Sequence, residues 1–238
     1  MSLIKKTKRK ISKALRGTIT SDELLDELRS KGAQIGNKVI VYSPNSVTID
    51  RSRPWLLKIG SYTQITSGVV VLTHDYSLSV LRRVYGPWIG EGAATVIGEN
   101  CFIGINSVLL MGAHLGNNVI VGAGSVVRGH FPDNVVIAGN PAKVICSLED
   151  HYNNRIKKTA EEAKTCARIY YERFKKKPTP ADLTGFKFLF APRDESIVKK
   201  YKLSFECNGD EPSEVEAAFY SSTPLWDNFE EFLKDAGL

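Results

Sequence analysis

The 238-residue sequence contains no apolar run near the roughly 18 residues that a membrane-crossing helix requires. Its basic start, MSLIKKTKRK, is not followed by the apolar core of a secretory leader, so a cytoplasmic location is expected. Cysteine is scarce. Cys101, Cys146, Cys166 and Cys207 form no CxxC pair and no dense cluster, which fits reduced thiols better than a disulfide framework. Histidine is equally sparse. His74, His114, His130 and His151 lack the close pair plus distant third that a trihistidine zinc site needs, so no catalytic metal is expected. The net charge of +6 is modest. It favours an anionic ligand or surface, but is too small to indicate a nucleic-acid partner.

What the sequence does have is a period. Ile97, Ile103, Leu109, Leu115, Val121 and Val127 recur every six residues, and glycine follows four of them. Two residues earlier runs a mostly small register: Thr95, Cys101, Ser107, Ala113, Val119 and Ser125. Neither the 3.6 period of a helix nor a bare alternation gives six. The interval suits short parallel strands joined by tight corners, stacked so that each turn buries its apolar side only against its neighbours. Upstream, Ile35, Val41 and Val47 keep the interval, Arg53 interrupts it, and Ile59, Ile65 and Val71 resume it. Ile89 lies three intervals beyond Val71, which predicts that a protruding loop over 74–87 replaces about one turn.

Three segments follow. Residues 1–30 form a basic N-terminal helical segment. Its first sixteen residues carry seven lysines and arginines, suited to peripheral contact with the inner face of a membrane, to packing in an oligomer or to a frayed, solvated end. Thr20 and Glu23 make a capping box for a short helix that buries Leu24, Leu25 and Leu28. Residues 31–146 form the solenoid, ended by Gly129, Pro132 and the Gly-Asn-Pro at 139–141, with a last short strand at Val135–Ile137. Residues 147–238 form a helical, aromatic-rich extension: a long exposed helix to about Lys175, then a Thr179-capped short helix and further small helices.

The stretch IGENCFIGINSVLLMGAHLGNNVIVGAGSVVRGHFPDNVVIAGNPAKVI resembles the hexapeptide-repeat acyltransferases. Within them it is most similar to the maltose and galactoside acetyltransferases and to the O-acetyltransferases of capsule and exopolysaccharide clusters. The resemblance implies a mainly β fold, a left-handed parallel β-helix, assembled as a homotrimer. It implies an acetyl-CoA-dependent O-acetyltransferase that modifies a hydroxyl of a bacterial polysaccharide, its precursor or a related sugar. His74, in THDYS, takes the place of the catalytic base; a neutral imidazole is available near pH 7 for that task. Asp75 or a residue from elsewhere would orient it. By the same resemblance Phe102, Ile105, Gly122, Ala123, Arg128 and Lys143 fall at the coenzyme A groove. Phe102 stands where many relatives have Trp. Asn45 and Asp50, in PNSVTID, fall where the sugar is held. Tyr76, Arg82, Arg83 and Trp88 occupy or flank the loop; the two arginines suit a negatively charged acceptor. Two other readings of the chain are an N-acetyltransferase acting on an amino-sugar nucleotide or xenobiotic, and a non-catalytic scaffold that keeps only the fold.

Overall fold

A computed structural model describes residues 18–75, 77–206 and 209–238. The basic stretch before residue 18, Tyr76 and Cys207 lie outside the described residues. One compact unit ends at Glu149, and a second runs from Asp150 to Leu238.

The first unit opens with helix α1 (Ser21–Ser30). Thr20 caps it: its hydroxyl accepts from the Glu23 amide while the Glu23 carboxylate accepts from the Thr20 amide. These reciprocal bonds satisfy two otherwise orphaned donors and fix the helix start. Leu24, Leu25 and Leu28 are buried on one side and plug the end of the core.

The coils then stack. The first comprises β1 (Gln34–Ile35), β2 (Ile40–Val41) and β3 (Thr48–Ile49); the second β4 (Leu57–Ile59), β5 (Gln64–Ile65) and β6 (Val70–Val71). Helix α2 (Leu78–Tyr85) intervenes. The third coil is β7 (Thr95–Ile97), β8 (Phe102–Ile103) and β9 (Val108–Leu109); the fourth is β10 (His114–Leu115), β11 (Ile120–Val121) and β12 (Val126–Val127). Strands β13 (His130–Phe131), β14 (Val135–Gly139) and β15 (Ala142–Ser147) close the stack. The three faces are the sheets β1-β4-β7-β10-β13, β2-β5-β8-β11-β14-β15 and β3-β6-β9-β12. Every pairing is parallel except β14 with β15.

The six-residue rule works because each two-residue strand points one large aliphatic inward. Ile59, Ile65, Val71, Ile97, Ile103, Leu109, Leu115, Val121 and Val127 are all 0–1% exposed. The corners need the left-handed backbone region. Between the first and second strands of successive coils it is occupied by Lys38, Tyr62, Asn100, Asn118 and Asn134, with φ of 51–60°. Asparagine tolerates this region best among side chains with a Cβ. The three asparagines also bond to each other along the stack: Asn100 donates to Asn118 at 2.9 Å, and Asn118 to Asn134 at 2.8 Å. At another corner Gly68 has φ +71°, and a Cβ there would come within 2.0 Å of the Asn106 amide oxygen.

In the first unit the fold corrects four expectations. The inward residue of β3 is Ile49 rather than Val47, because the corner after Val41 is two residues longer than the period allows. Ile89 is not in register; it is 47% exposed and outside any strand. The segment 74–87 is not a plain loop, since α2 fills most of it and Gly86, at φ +93°, ends the helix. The chain also doubles back after Gly-Asn-Pro, so that β15 covers β14 in antiparallel fashion.

The second unit holds α3 (Leu148–Phe174), α4 (Lys187–Phe190), α5 (Glu195–Lys200), α6 (Pro212–Ser221) and α7 (Phe229–Asp235). Phe190 and Phe232 are fully buried at its centre, 5.0 Å apart, against Ala163 and Ala167 of α3. Thr179 does not cap a helix; its amide and hydroxyl both donate to Asp182, forming a turn ahead of a short 3-10 segment, Thr184–Phe186.

Candidate active site

The site begins with a carboxylate whose four acceptor positions are filled. Asp50 follows β3 and is 7% exposed. Its Oδ1 accepts from the Ser52 amide at 2.8 Å and the Ser52 hydroxyl at 2.7 Å. Its Oδ2 accepts from the Thr73 hydroxyl and faces His74 Nδ1 at 2.5 Å. Burial pushes this carboxyl up, but the bonds from Thr73, Ser52 and His74 outweigh it and hold it well below the ordinary carboxylate range. Asp50 is therefore ionised near neutrality. An ionised carboxylate only accepts, so Nδ1 carries the imidazole proton and Nε2 is the basic nitrogen.

The strand register brings the pair together. Ile49 and Val71 are partners across β3 and β6, so the residues just beyond them, Asp50 and Thr73–His74, leave the sheet at one corner. Asp50, expected at the acceptor, thus touches the imidazole. Asp75 does not orient the ring through Oδ1, which accepts from the Ser77 amide at 2.5 Å. Ser52 and Thr73 complete the arrangement. Neither was legible in the sequence, because a hydroxyl beside a carboxylate has no spacing signature.

His74 lines a cavity of about 230 Å³ with Arg53, Arg82, Trp88, Glu91 and residues of α2. Of the two loop arginines, Arg82 reaches this cavity and Arg83 is not among its lining residues. The Arg82 guanidinium lies 6.0 Å from the centre of the Trp88 ring. Arg53, which breaks the aliphatic period, donates to the Glu91 carbonyl. Asn45 is engaged elsewhere: its side-chain oxygen accepts from the Ile19 amide at 3.1 Å. Tyr76 lies outside the described residues.

Of the residues expected at coenzyme A, Ile105, Gly122 and Ala123 lie at a different corner, between the second and third faces, whereas Arg128 follows β12 at the same edge of the third face as His74. Ala123 and Gly124 are exposed between β11 and β12, and the Gly124 amide donates to Ile105 of the coil below at 2.8 Å. Two hydroxyls, Ser107 and Ser125, donate to the Gly122 carbonyl at 3.0 and 2.6 Å and fix this turn. Phe102 and Ile105 are 40% and 49% exposed. Arg128 and Lys143 are exposed cations. A row of small residues, Gly122, Ala123 and Gly124, with the exposed Ile105 beside it, is chemically suited as a track for a thin arm. Among the described residues no group of three or more His, Cys, Asp or Glu is placed to hold a metal ion.

Residues 94–128 match the family model described as the hexapeptide repeat of succinyl-transferase. Protein CapG of Staphylococcus aureus is 46% identical over 139 residues, covering 58% of this chain and 79% of CapG. The chain belongs to the hexapeptide-repeat acyltransferase family. The fold is accordingly that family's left-handed parallel β-helix. WbbJ of Escherichia coli K12, provisionally assigned to lipopolysaccharide biosynthesis as an O-acetyl transferase, is 38% identical over 123 residues, 49% of this chain and 58% of WbbJ. A solved maltose O-acetyltransferase from Clostridium difficile 630 overlaps 61% of this chain and 89% of its own, at 23% identity and a TM-score of 0.38.

Proposed function

We propose that the chain is an acetyl-CoA-dependent O-acetyltransferase acting on a hydroxyl of a bacterial surface saccharide or its precursor, with His74 as the general base. The observation that carries this reading is the Asp50–His74 contact at 2.5 Å on the wall of a cavity. Acetyl-CoA supplies the activated acetyl group. The chain supplies proton transfer and positioning. With Nδ1–H held by Asp50, Nε2 takes the proton of the acceptor hydroxyl as that oxygen becomes nucleophilic. The imidazolium so formed is stabilised by the neighbouring carboxylate and can return its proton to the leaving sulfur. Asp50 stays ionised throughout because four donors hold its charge.

The saccharide acceptor is supported by the likeness to WbbJ, provisionally assigned to lipopolysaccharide biosynthesis. Assembly as a homotrimer is supported by topology. His74 follows the third-face strand β6, whereas Ala123 precedes the third-face strand β12, so base and donor track lie at opposite edges of one face. A neighbouring copy brings its donor track to this chain's base. Among the described residues no helix is long and apolar enough to cross a membrane.

The test is thiol release from acetyl-CoA across a panel of glycosides and nucleotide sugars. The wild type is expected to turn over with a saccharide hydroxyl, and His74→Ala to lose roughly 10³-fold or more in kcat. Full turnover by His74→Ala would overturn the mechanism. Turnover only with amines would overturn O-transfer.

A further inference from the structure

Two guanidinium groups share the cavity with His74, and neither is used by proton transfer. Arg53 is a built feature. Its position breaks the aliphatic period, and its guanidinium donates to the Glu91 carbonyl. Gly92 leaves the room it occupies: a Cβ at Gly92 would stand 2.5 Å from an Arg53 terminal nitrogen. The backbone thus fixes one fork of this side chain and leaves its remaining N–H donors. Arg82 is set differently, on the exposed helix α2 beside Trp88. Among the described residues neither arginine has a carboxylate partner. Two carboxylic residues also line the space. Asp75 Oδ1 is committed to the Ser77 amide, and Glu91 Oε1 is shut off from solvent without a hydrogen-bond partner among the described residues.

We infer that the acceptor enters this cavity carrying an anionic group, a carboxylate or a phosphate, which Arg53 and Arg82 hold while a neighbouring hydroxyl meets His74. A guanidinium presents a planar fork of donors that matches either oxyanion with two parallel bonds. Placing the anion on a fixed arginine locates the reacting hydroxyl, and Arg82 closes over it from α2. The Glu91 charge opposes the anion and tunes its affinity downward. This inference rests on the saccharide O-acetyltransferase reading and narrows its substrate class.

The experiment compares three probes in full-length protein: methyl glucoside, methyl glucuronide and glucose 6-phosphate. Calorimetry measures binding without turnover, and thiol release from acetyl-CoA measures kcat/KM. The expected result is binding and acetylation of at least one anionic sugar with a preference of 10-fold or more over the glucoside. A preference for glucuronide alone identifies the carboxylate source, and for glucose 6-phosphate alone the phosphate. Arg53→Gln is expected to cut that preference at least 10-fold, Arg53→Lys to cut it less, and Glu91→Gln to raise it. Raising NaCl from 50 to 300 mM is expected to weaken the anionic sugar selectively. Unchanged melting temperatures separate these effects from misfolding. A glucoside bound or acetylated as well as both anionic sugars overturns the inference and leaves O-acetylation standing. Anionic sugars bound through Arg53 but acetylated equally by His74→Ala overturn the mechanism and leave the anion site standing.

Discussion

From Ile97 to Val127 the chain advances by six residues at every strand, whereas from Ile35 to Ile97 it keeps that step only in places. The regular stretch puts a large aliphatic inside at each step and keeps its corners short. The irregular stretch departs three times: between β2 and β3, between β3 and β4, and between β6 and β7. Asp50, Ser52 and Arg53 lie at or in the second departure, and Thr73, His74 and Glu91 in the third. Periodicity builds a regular stack, and the breaks in it are where side chains are released from packing to line a cavity. A buried inward residue is committed to the core, while a corner that runs long can aim a polar group at its neighbour.

The strongest way to sharpen this contrast is to truncate one in-register and one out-of-register aliphatic. Leu109→Ala, at a fully buried position, is expected to lose about 2–5 kcal/mol in urea unfolding. Ile89→Ala, at an exposed position, is expected to stay within about 0.5 kcal/mol. Equal costs would break the comparison.

Next in size is Asp50→Asn, expected to lower kcat about 10²-fold by losing the charge that orients and stabilises the His74 imidazole. It also has a stability signature. The Asp50 pKa is depressed in the folded state, so its contribution is present above the unfolded value of about 3.9 and is lost as pH falls through the folded value. The wild type is therefore expected to exceed Asp50→Asn in stability at pH 6–7 by a margin that shrinks steadily below about pH 4. A margin independent of pH down to acid would contradict the bonding described for Asp50.

Smaller again is Asn118→Ala. It removes two side-chain bonds of the corner ladder and places a less tolerant residue at φ 55°, at an expected cost of roughly 1–2 kcal/mol by thermal or chemical unfolding. The smallest effect is expected at the proposed donor track. Lys143→Gln is expected to raise KM for acetyl-CoA about 3- to 10-fold, with kcat little changed, and to flatten its salt dependence. A larger change in kcat than in KM would remove Lys143 from the donor site.

The same contrast explains what could be read from the sequence. The ladder from Ile97 to Val127 and the Thr20–Glu23 cap were legible because each is a local rule repeated or closed within a few residues. Ile89 misled because a residue at the right interval carries no mark of the inserted helix before it, and Val47 because one corner is two residues longer than the period allows. His74 was singled out through family resemblance. Its partner was not, because Asp50 reaches it across a strand pairing set by Ile49 and Val71, a contact between positions 24 apart in the chain. Arg53 was visible only as a gap in a pattern, and its purpose required the Glu91 carbonyl and Gly92 to be seen beside it.

The account stands most directly on His74 Nε2 acting as the base in a ring held by Asp50. Adding free imidazole to His74→Ala during acetyl-CoA turnover tests this. The expected result is a near-dead variant whose rate rises with the concentration of neutral imidazole, and far less so when Asp50→Asn is combined with it. A His74→Ala enzyme that turns over at the wild-type rate without imidazole would contradict the account.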